Sequence, residues 1–278
     1  MSNSEQTALV LGGGGPVGAS WMAALVHELV ANGVRLGESD VVLGTSAGSV
    51  VGAWLTMEPD GVATVPNLMR ERAQWHARNA ASRTTAFDPG IRQKLGFEKV
   101  DPESARRVGQ AAIAAIPPIS VLDAKLMWKP MLPKGPWPSQ LGMAAVDANT
   151  GEARVWSAKD AIPLTVGVSC STAAPGAAPP VEVAGSVWVD GGVRSGTNAD
   201  LVDIAPGRVL VVSPMASDRV RHEEAILTEL GHRVRVITAT PFTDSPADML
   251  NPRFIDAGVA AGTSQARDLA ADLLAWWN

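Results

Sequence analysis

Residues 40–57 read DVVLGTSAGSVVGAWLTM, and this stretch decides the fold. Asp40–Leu43 has the apolar, β-branched character of a short buried strand. Gly44–Thr45–Ser46–Ala47–Gly48 is an abrupt glycine turn, after which an apolar helical pattern runs towards Met57. The same order of events occurs upstream. Thr7–Leu11 (TALVL) reads as a buried strand and Gly12–Gly18 (GGGGPVG) as a glycine turn. Trp21, Leu25 and Leu29 then recur at helical spacing beside Met22, Val26 and Val30, until Asn32–Gly33 stops the helix. Strand, glycine turn and helix, twice between Thr7 and Met57, predict the opening of a parallel sheet.

Further along, the strand pattern lapses and then resumes. From about residue 66 to 139 the chain offers an Arg-bearing helix over Pro66–Ala80, a helix with Asp101 as N-cap and Pro102 at its first position, Pro117–Pro118, and the run Trp128–Pro138. This region is expected to be a helical and loop insertion, lid-like, over the edge of the sheet. Leu141–Val146 and Glu152–Trp156, joined by Asn149–Thr150–Gly151, predict a hairpin. Ser186–Val189 leads into Asp190–Gly191–Gly192, Arg208–Val212 and Val234–Thr238 are further strands around a helix over Arg219–Leu230, and a closing helix carries Leu269, Leu273 and Trp276–Trp277. With no internal repeat and no long linker, a single domain over residues 7–274 is expected: an α/β fold with a central, mostly parallel sheet flanked by helices.

Composition removes whole classes of function. Cys170 is the single cysteine of the 278 residues, which excludes an intrachain disulfide and any thiolate-only metal site. Four scattered histidines leave little for a metal cluster, and the absence of tyrosine excludes a phenol acid or nucleophile. The net charge of −5, without a dense Lys/Arg run, argues against nucleic acid as a partner. Met1–Thr7 lacks the pattern of a signal peptide, and the apolar stretches Val50–Met57 and Ala111–Ile119 fall far short of the ~20 residues of a membrane span. A soluble, cytoplasmic protein is expected.

Gly44–Gly48 is a G-x-S-x-G between a strand and a helix, a setting in which the glycines permit a strained turn that lifts a serine Oγ above the sheet at a helix N-terminus. The alternative is an ordinary turn with a capping serine. Gly12–Gly18 also contains G-x-G-x-x-G, as Gly13, Gly15 and Gly18, and supports two readings. A dinucleotide loop needs an acid at the end of the second strand, but Asp40 lies at its start and Gly44–Thr45–Ser46 occupies its end. An oxyanion hole needs only backbone N–H groups unobstructed by side chains. On adjacent parallel strands both turns open at one edge of the sheet.

A serine nucleophile needs a base. His27 lies opposite the apolar face of the first helix, His76 sits among Arg70, Arg72 and Arg78, and His222 and His232 lie in or after the helix at 219–230. None follows a strand. Asp190 ends the apolar run Val187–Trp188–Val189 and precedes two glycines, so it is either an Asp-Gly turn residue or a carboxylate emerging at a strand end.

Gly13–Gly18, Gly44–Gly48 and Asp190–Gly191–Gly192, in this order and these strand contexts, resemble the patatin-like phospholipases, an α/β-hydrolase-related family. Val146–Asp147 with Thr150–Gly151–Glu152, the stretch Ser169–Pro180, and the Asn251–Pro252 and Gly262–Gln265 region extend the likeness from Thr7 to about Leu274. The resemblance implies a Ser–Asp dyad without histidine, Ser46 being the nucleophile and Asp190 the proton acceptor. It also implies an oxyanion hole from Gly13, Gly14 and Gly15, supported by Gly18, Gly44, Gly48, Gly191 and Gly192. No cofactor or metal is implied, and the substrate would be a lipid or acyl ester. Where the family commonly has Arg or Lys before the last glycine of its first motif, this chain has Val17, preceded by Pro16. That departure favours the alternative of a catalytically weak lipid- or acyl-binding protein. Trp21, Trp54, Trp188 and Trp276–Trp277 are expected in the core. Trp128 and Trp137 flank a lysine-edged apolar loop and are read as a lid or a rim for transient contact with a membrane surface.

Overall fold

The computed structural model describes residues 5–78, 101–243 and 245–278. The end of the helix expected over Pro66–Ala80, and the side chain of His76, lie outside the described residues.

The strands are β1 (Thr7–Leu11), β2 (Val41–Thr45), β3 (Leu141–Asp147), β4 (Ala153–Trp156), β5 (Val181–Val183), β6 (Ser186–Asp190), β7 (Arg208–Ser213) and β8 (Arg233–Thr238). They form one sheet in the order β5-β6-β3-β2-β1-β7-β8, with β4 also paired to β3. The pairings β3–β2, β2–β1, β1–β7 and β7–β8 are parallel, while β4 and β6 run antiparallel to β3 and β5 antiparallel to β6. β1 is central and buried on both faces, which is why TALVL reads as an unbroken apolar run. Leu9 and Leu11 point into the large core with Trp21 and Leu25, whereas Ala8 and Val10 pack on the opposite face with Leu227.

Eight α-helices are described: α1 (Gly15–Ala31), α2 (Ala47–Met57), α3 (Val65–Arg78), α4 (Pro102–Ala115), α5 (Val121–Trp128), α6 (Leu164–Ser171), α7 (Asp218–Glu229) and α8 (Ile255–Trp277). Asp101 caps α4 by accepting the Ser104 N–H at 2.8 Å, with Pro102 at the first position, as its sequence predicts. Gly262 of α8 lets that helix close onto the backbone of Trp21 in α1, and the indole N–H of Trp21 donates to Gln265 at 3.2 Å.

Two helices and one strand escape the sequence pattern. α5 and α6 have only eight residues each, in proline-bearing surroundings, and β5 has only three. The position of α5 overturns the reading of Trp128 as a membrane-rim residue. Trp128 is the last residue of α5 and only 1% exposed, one turn from fully buried Ala124, with the Arg72 guanidinium 4.1 Å over its ring. Trp137 is half-buried, donates its indole N–H to the Leu141 carbonyl at 2.9 Å, and has its ring against Gly167. The i, i+4 spacing of Ala124 and Trp128 turns the ring inward, where it removes apolar area from water. No described helix is long and apolar enough to cross a membrane.

Candidate active site

The two glycine turns leave the sheet at the carboxyl ends of β1 and β2 and meet there. β2 ends at Thr45, and Ser46 adopts φ 52° and ψ −116° before α2 begins. This is a strained, left-handed backbone for a non-glycine residue, held by its surroundings. The Ser46 N–H donates to Ser171 Oγ at 3.0 Å, the Ser46 carbonyl accepts the Ser49 hydroxyl at 2.6 Å, and α2 lies so close to β1 that a Cβ on Gly48 would collide with the Leu11 carbonyl.

β6 delivers the second group. Asp190 is its last residue and is 4% exposed. Its Oδ2 accepts the Ser46 hydroxyl at 2.7 Å, and its Oδ1 accepts the Gly192 N–H, also at 2.7 Å. Burial pushes its carboxyl up from the usual 3.8 to about 6, against the two hydrogen bonds that pull it down. The turn that follows is tight because Gly191 rests on β3: a Cβ there would lie 2.6 Å from the Ala144 carbonyl oxygen.

The first glycine turn lies beside Ser46, a Cβ on Gly13 reaching to 3.2 Å of the Ser46 Cβ. Its N–H groups are not equivalent. Gly12 donates to Val212 at 2.9 Å and Gly13 to Gly196 at 2.7 Å, and Gly18 caps the turn by donating to the Gly14 carbonyl at 2.9 Å. Gly13 is therefore engaged, while the N–H groups of Gly14 and Gly15, at the N-terminus of α1, find no acceptor among the described residues. Val17 is fully buried and faces Gly258 of α8, so it fixes the start of α1 by packing. Next to the loop, Pro214 abuts Gly14 and Gly18, and with Met215, Phe242, Met249, Thr240 and Thr243 it lines a mixed cleft of about 180 Å³.

His27, His222 and His232 stand apart from this cluster. His222 is exposed and His27 half-buried. His232 is buried. Its Nδ1 accepts the Gly207 N–H at 3.2 Å, just before β7, at the amino edge of the sheet opposite Ser46. Cys170 is fully buried, and burial pushes its thiol up to about 12, so it is not a thiolate at neutral pH. Among the described residues no group of three or more His, Cys, Asp or Glu could hold a metal ion.

The sequence pattern did not single out the residues that tie these pieces together. Asn198, fully buried with φ 52° and ψ 33°, donates its side-chain N–H groups to Thr45 Oγ1 at 3.2 Å, the Gly191 carbonyl at 3.1 Å and the Ser195 carbonyl at 2.8 Å. Thr45 Oγ1 in turn donates to the Thr197 carbonyl at 3.0 Å. One short segment, Gly191–Asn198, thus touches the serine strand, the aspartate turn and the glycine loop. Beneath it, buried Glu223 accepts the Thr197 hydroxyl and the Ala199 N–H, and Arg219 and Arg194 hold Asp200. The only local hint was an Asn shortly after a glycine, a residue type that tolerates the left-handed region.

A serine hydroxyl bonded to a buried carboxylate, on a strained turn at the carboxyl edge of an α/β sheet, defines the class: an α/β protein with a serine–aspartate pair. The chain belongs to the patatin-like phospholipase family, whose model matches residues 9–203. No curated protein sequence matches it. Among solved structures, VipD from Legionella pneumophila is similar over 97% of this chain and 67% of its own, at 15% identity and a TM-score of 0.46. The ExoU–SpcU complex from the type III secretion system of Pseudomonas aeruginosa is similar over 99% of this chain, at 16% identity and a TM-score of 0.44. This chain spans about half (53%) of that relative's length.

Proposed function

We propose that the chain is a serine acyl hydrolase acting on a lipid ester, of phospholipase A, lysophospholipase or lipid esterase type, with the dyad Ser46–Asp190. The observation that carries this reading is the 2.7 Å hydrogen bond from the Ser46 hydroxyl to Asp190 Oδ2. Ser46 Oγ attacks the ester carbonyl and its proton passes to Asp190. The carbonyl oxygen becomes an oxyanion, for which Gly14 and Gly15 supply the unengaged N–H groups. Gly13 contributes the wall of the loop, since its own N–H is already donated. Collapse of the tetrahedral intermediate expels the alcohol, which takes the proton back from Asp190. Water then attacks the acyl-enzyme while Asp190 accepts its proton, and that proton returns to Ser46 Oγ as the carboxylic acid leaves.

A carboxylate near pKa 6 suits this task, because it is mostly ionised at neutral pH yet more basic than an exposed aspartate. The cleft behind Pro214 offers Met215, Phe242 and Met249 to an acyl chain. Ser46→Ala and Asp190→Asn are each expected to abolish hydrolysis of a p-nitrophenyl ester with the fold retained. Full activity in Asp190→Asn, with loss in His222→Ala, would reassign the base to histidine. Buried, uncharged Val17 favours a second reading, a catalytically weak lipid- or acyl-binding protein. A fluorophosphonate probe separates the two, because labelling of Ser46 requires an activated hydroxyl and a passive binder stays unlabelled.

A further inference from the structure

Burial of Trp128 leaves the opposite face of α5 exposed, and that face has its own chemistry. Leu122 is 63% exposed and Leu126 57%, one turn apart. Lys125 and Lys129 are exposed on the same face, so that Leu122, Lys125, Leu126 and Lys129 follow the i, i+3, i+4, i+7 spacing of a single stripe. Ala124 and Trp128, on the reverse, are at 0% and 1%. The charges are concentrated as well. The chain has six lysines, and Lys125, Lys129 and Lys134 fall within ten residues. Among the described residues, none of these three ammonium groups has an ion pair. Asp123, the one acid on α5, sits in its first turn and accepts the Ser120 hydroxyl at 2.7 Å.

We infer that this stripe is a docking surface for an anionic lipid bilayer. Two exposed leucines alternating with two lysines form the pattern that seats apolar side chains below a layer of phosphate headgroups while the ammonium groups stay among them. Charge complementarity selects the occupant. A chain of net charge −5 is repelled from an anionic bilayer as a whole, so a local cationic stripe governs which face approaches. α5 packs on α6, whose last residue, Ser171, holds the Ser46 N–H, so docking would occur one packed layer from the dyad.

The test uses full-length protein carrying Ser46→Ala, so that binding is read without hydrolysis and independently of the proposed chemistry. At physiological salt it is expected to co-sediment with vesicles of phosphatidylglycerol and phosphatidylcholine, and poorly with phosphatidylcholine alone. Lys125→Glu with Lys129→Glu should reduce binding to the anionic vesicles on the order of tenfold or more, and Leu122→Ser with Leu126→Ser should also reduce it. In the chain with Ser46 intact, these surface changes should leave the melting temperature and any turnover of a soluble short ester unchanged. Three results overturn the inference: no binding to anionic vesicles, equal binding to neutral ones, or variants that bind as the parent does.

Discussion

Ser46 and Asp190 reach each other along one edge of β3. Thr45 pairs with Ala144 in the parallel direction, and Asp190 pairs with Ala145 in the antiparallel direction. β4 occupies the other edge of β3 over Met143–Val146, so β2 and β6 meet end to end on the remaining one. Consecutive residues of β3 therefore hold the strand end before the serine and the aspartate itself, and the 2.7 Å bond between hydroxyl and carboxylate follows from strand register.

If Asp190 accepts the serine proton, the rate must follow its ionisation. Its carboxyl is pushed up to about 6, so kcat/KM on a soluble ester should rise with pH through about 6 and level off above it. An unchanged rate from pH 5 to pH 8 would exclude Asp190 as the base.

The same shift has a consequence for stability. The folded carboxyl has the higher pKa, so the folded state binds more protons between about 4 and 6, and stability falls as pH rises through that window. The cost is fully present above 6. A rise from 3.8 to about 6, at ~1.4 kcal/mol per pKa unit, sets it at about 3 kcal/mol at most. Asp190→Asn should therefore unfold at higher urea than the parent at pH 8, with the gap shrinking towards pH 4. A gap that stays constant with pH would mean the carboxylate is not destabilised by burial.

Asn198 joins the strand before Ser46 to the turn after Asp190, and so acts as a positioning residue. Asn198→Gly keeps the left-handed backbone and removes the amide that bonds Thr45 and Gly191. It should lower kcat on the order of a hundredfold with KM little changed, since small misplacements of reacting groups carry penalties of that size. Equal changes in kcat and KM, or a loss confined to thermal stability, would reduce Asn198 to a structural role.

Trp128 should behave as a core residue. Trp128→Ala is expected to destabilise the fold by about 3–5 kcal/mol, the usual range for removing a buried aromatic. Trp128→Phe should be far milder, because the indole N–H has no hydrogen-bond partner among the described residues to lose. Urea unfolding distinguishes the two. A folded, stable Trp128→Ala defective only on vesicles would restore its reading as a membrane-facing residue.

The first fifty residues were legible because local rules suffice there. A continuous apolar strand, an abrupt glycine turn and a helical period all lie within reach of neighbouring residues, and β1, α1, β2 and α2 follow them closely. The hairpin of β3 and β4 was legible for the same reason. α5, α6 and β5 were not, because they are short and held by packing on other parts of the chain. Trp128 reads locally as the edge of a loop, whereas the turn of α5 beneath it decides which way the ring points.

By itself the sequence determined the kinds of group available: a serine on a glycine turn, a second glycine turn able to present N–H donors, an aspartate at a strand end, and no well-placed histidine. Only the tertiary structure decided which groups meet. It placed Asp190 against Ser46 through pairing to β3, consumed the Gly13 N–H on Gly196, and brought Asn198 under both halves of the pair. Strand register, burial and the pKa of a carboxylate arise from residues 45 to 144 positions apart in the chain. Such properties belong to the packed chain and have no local signature.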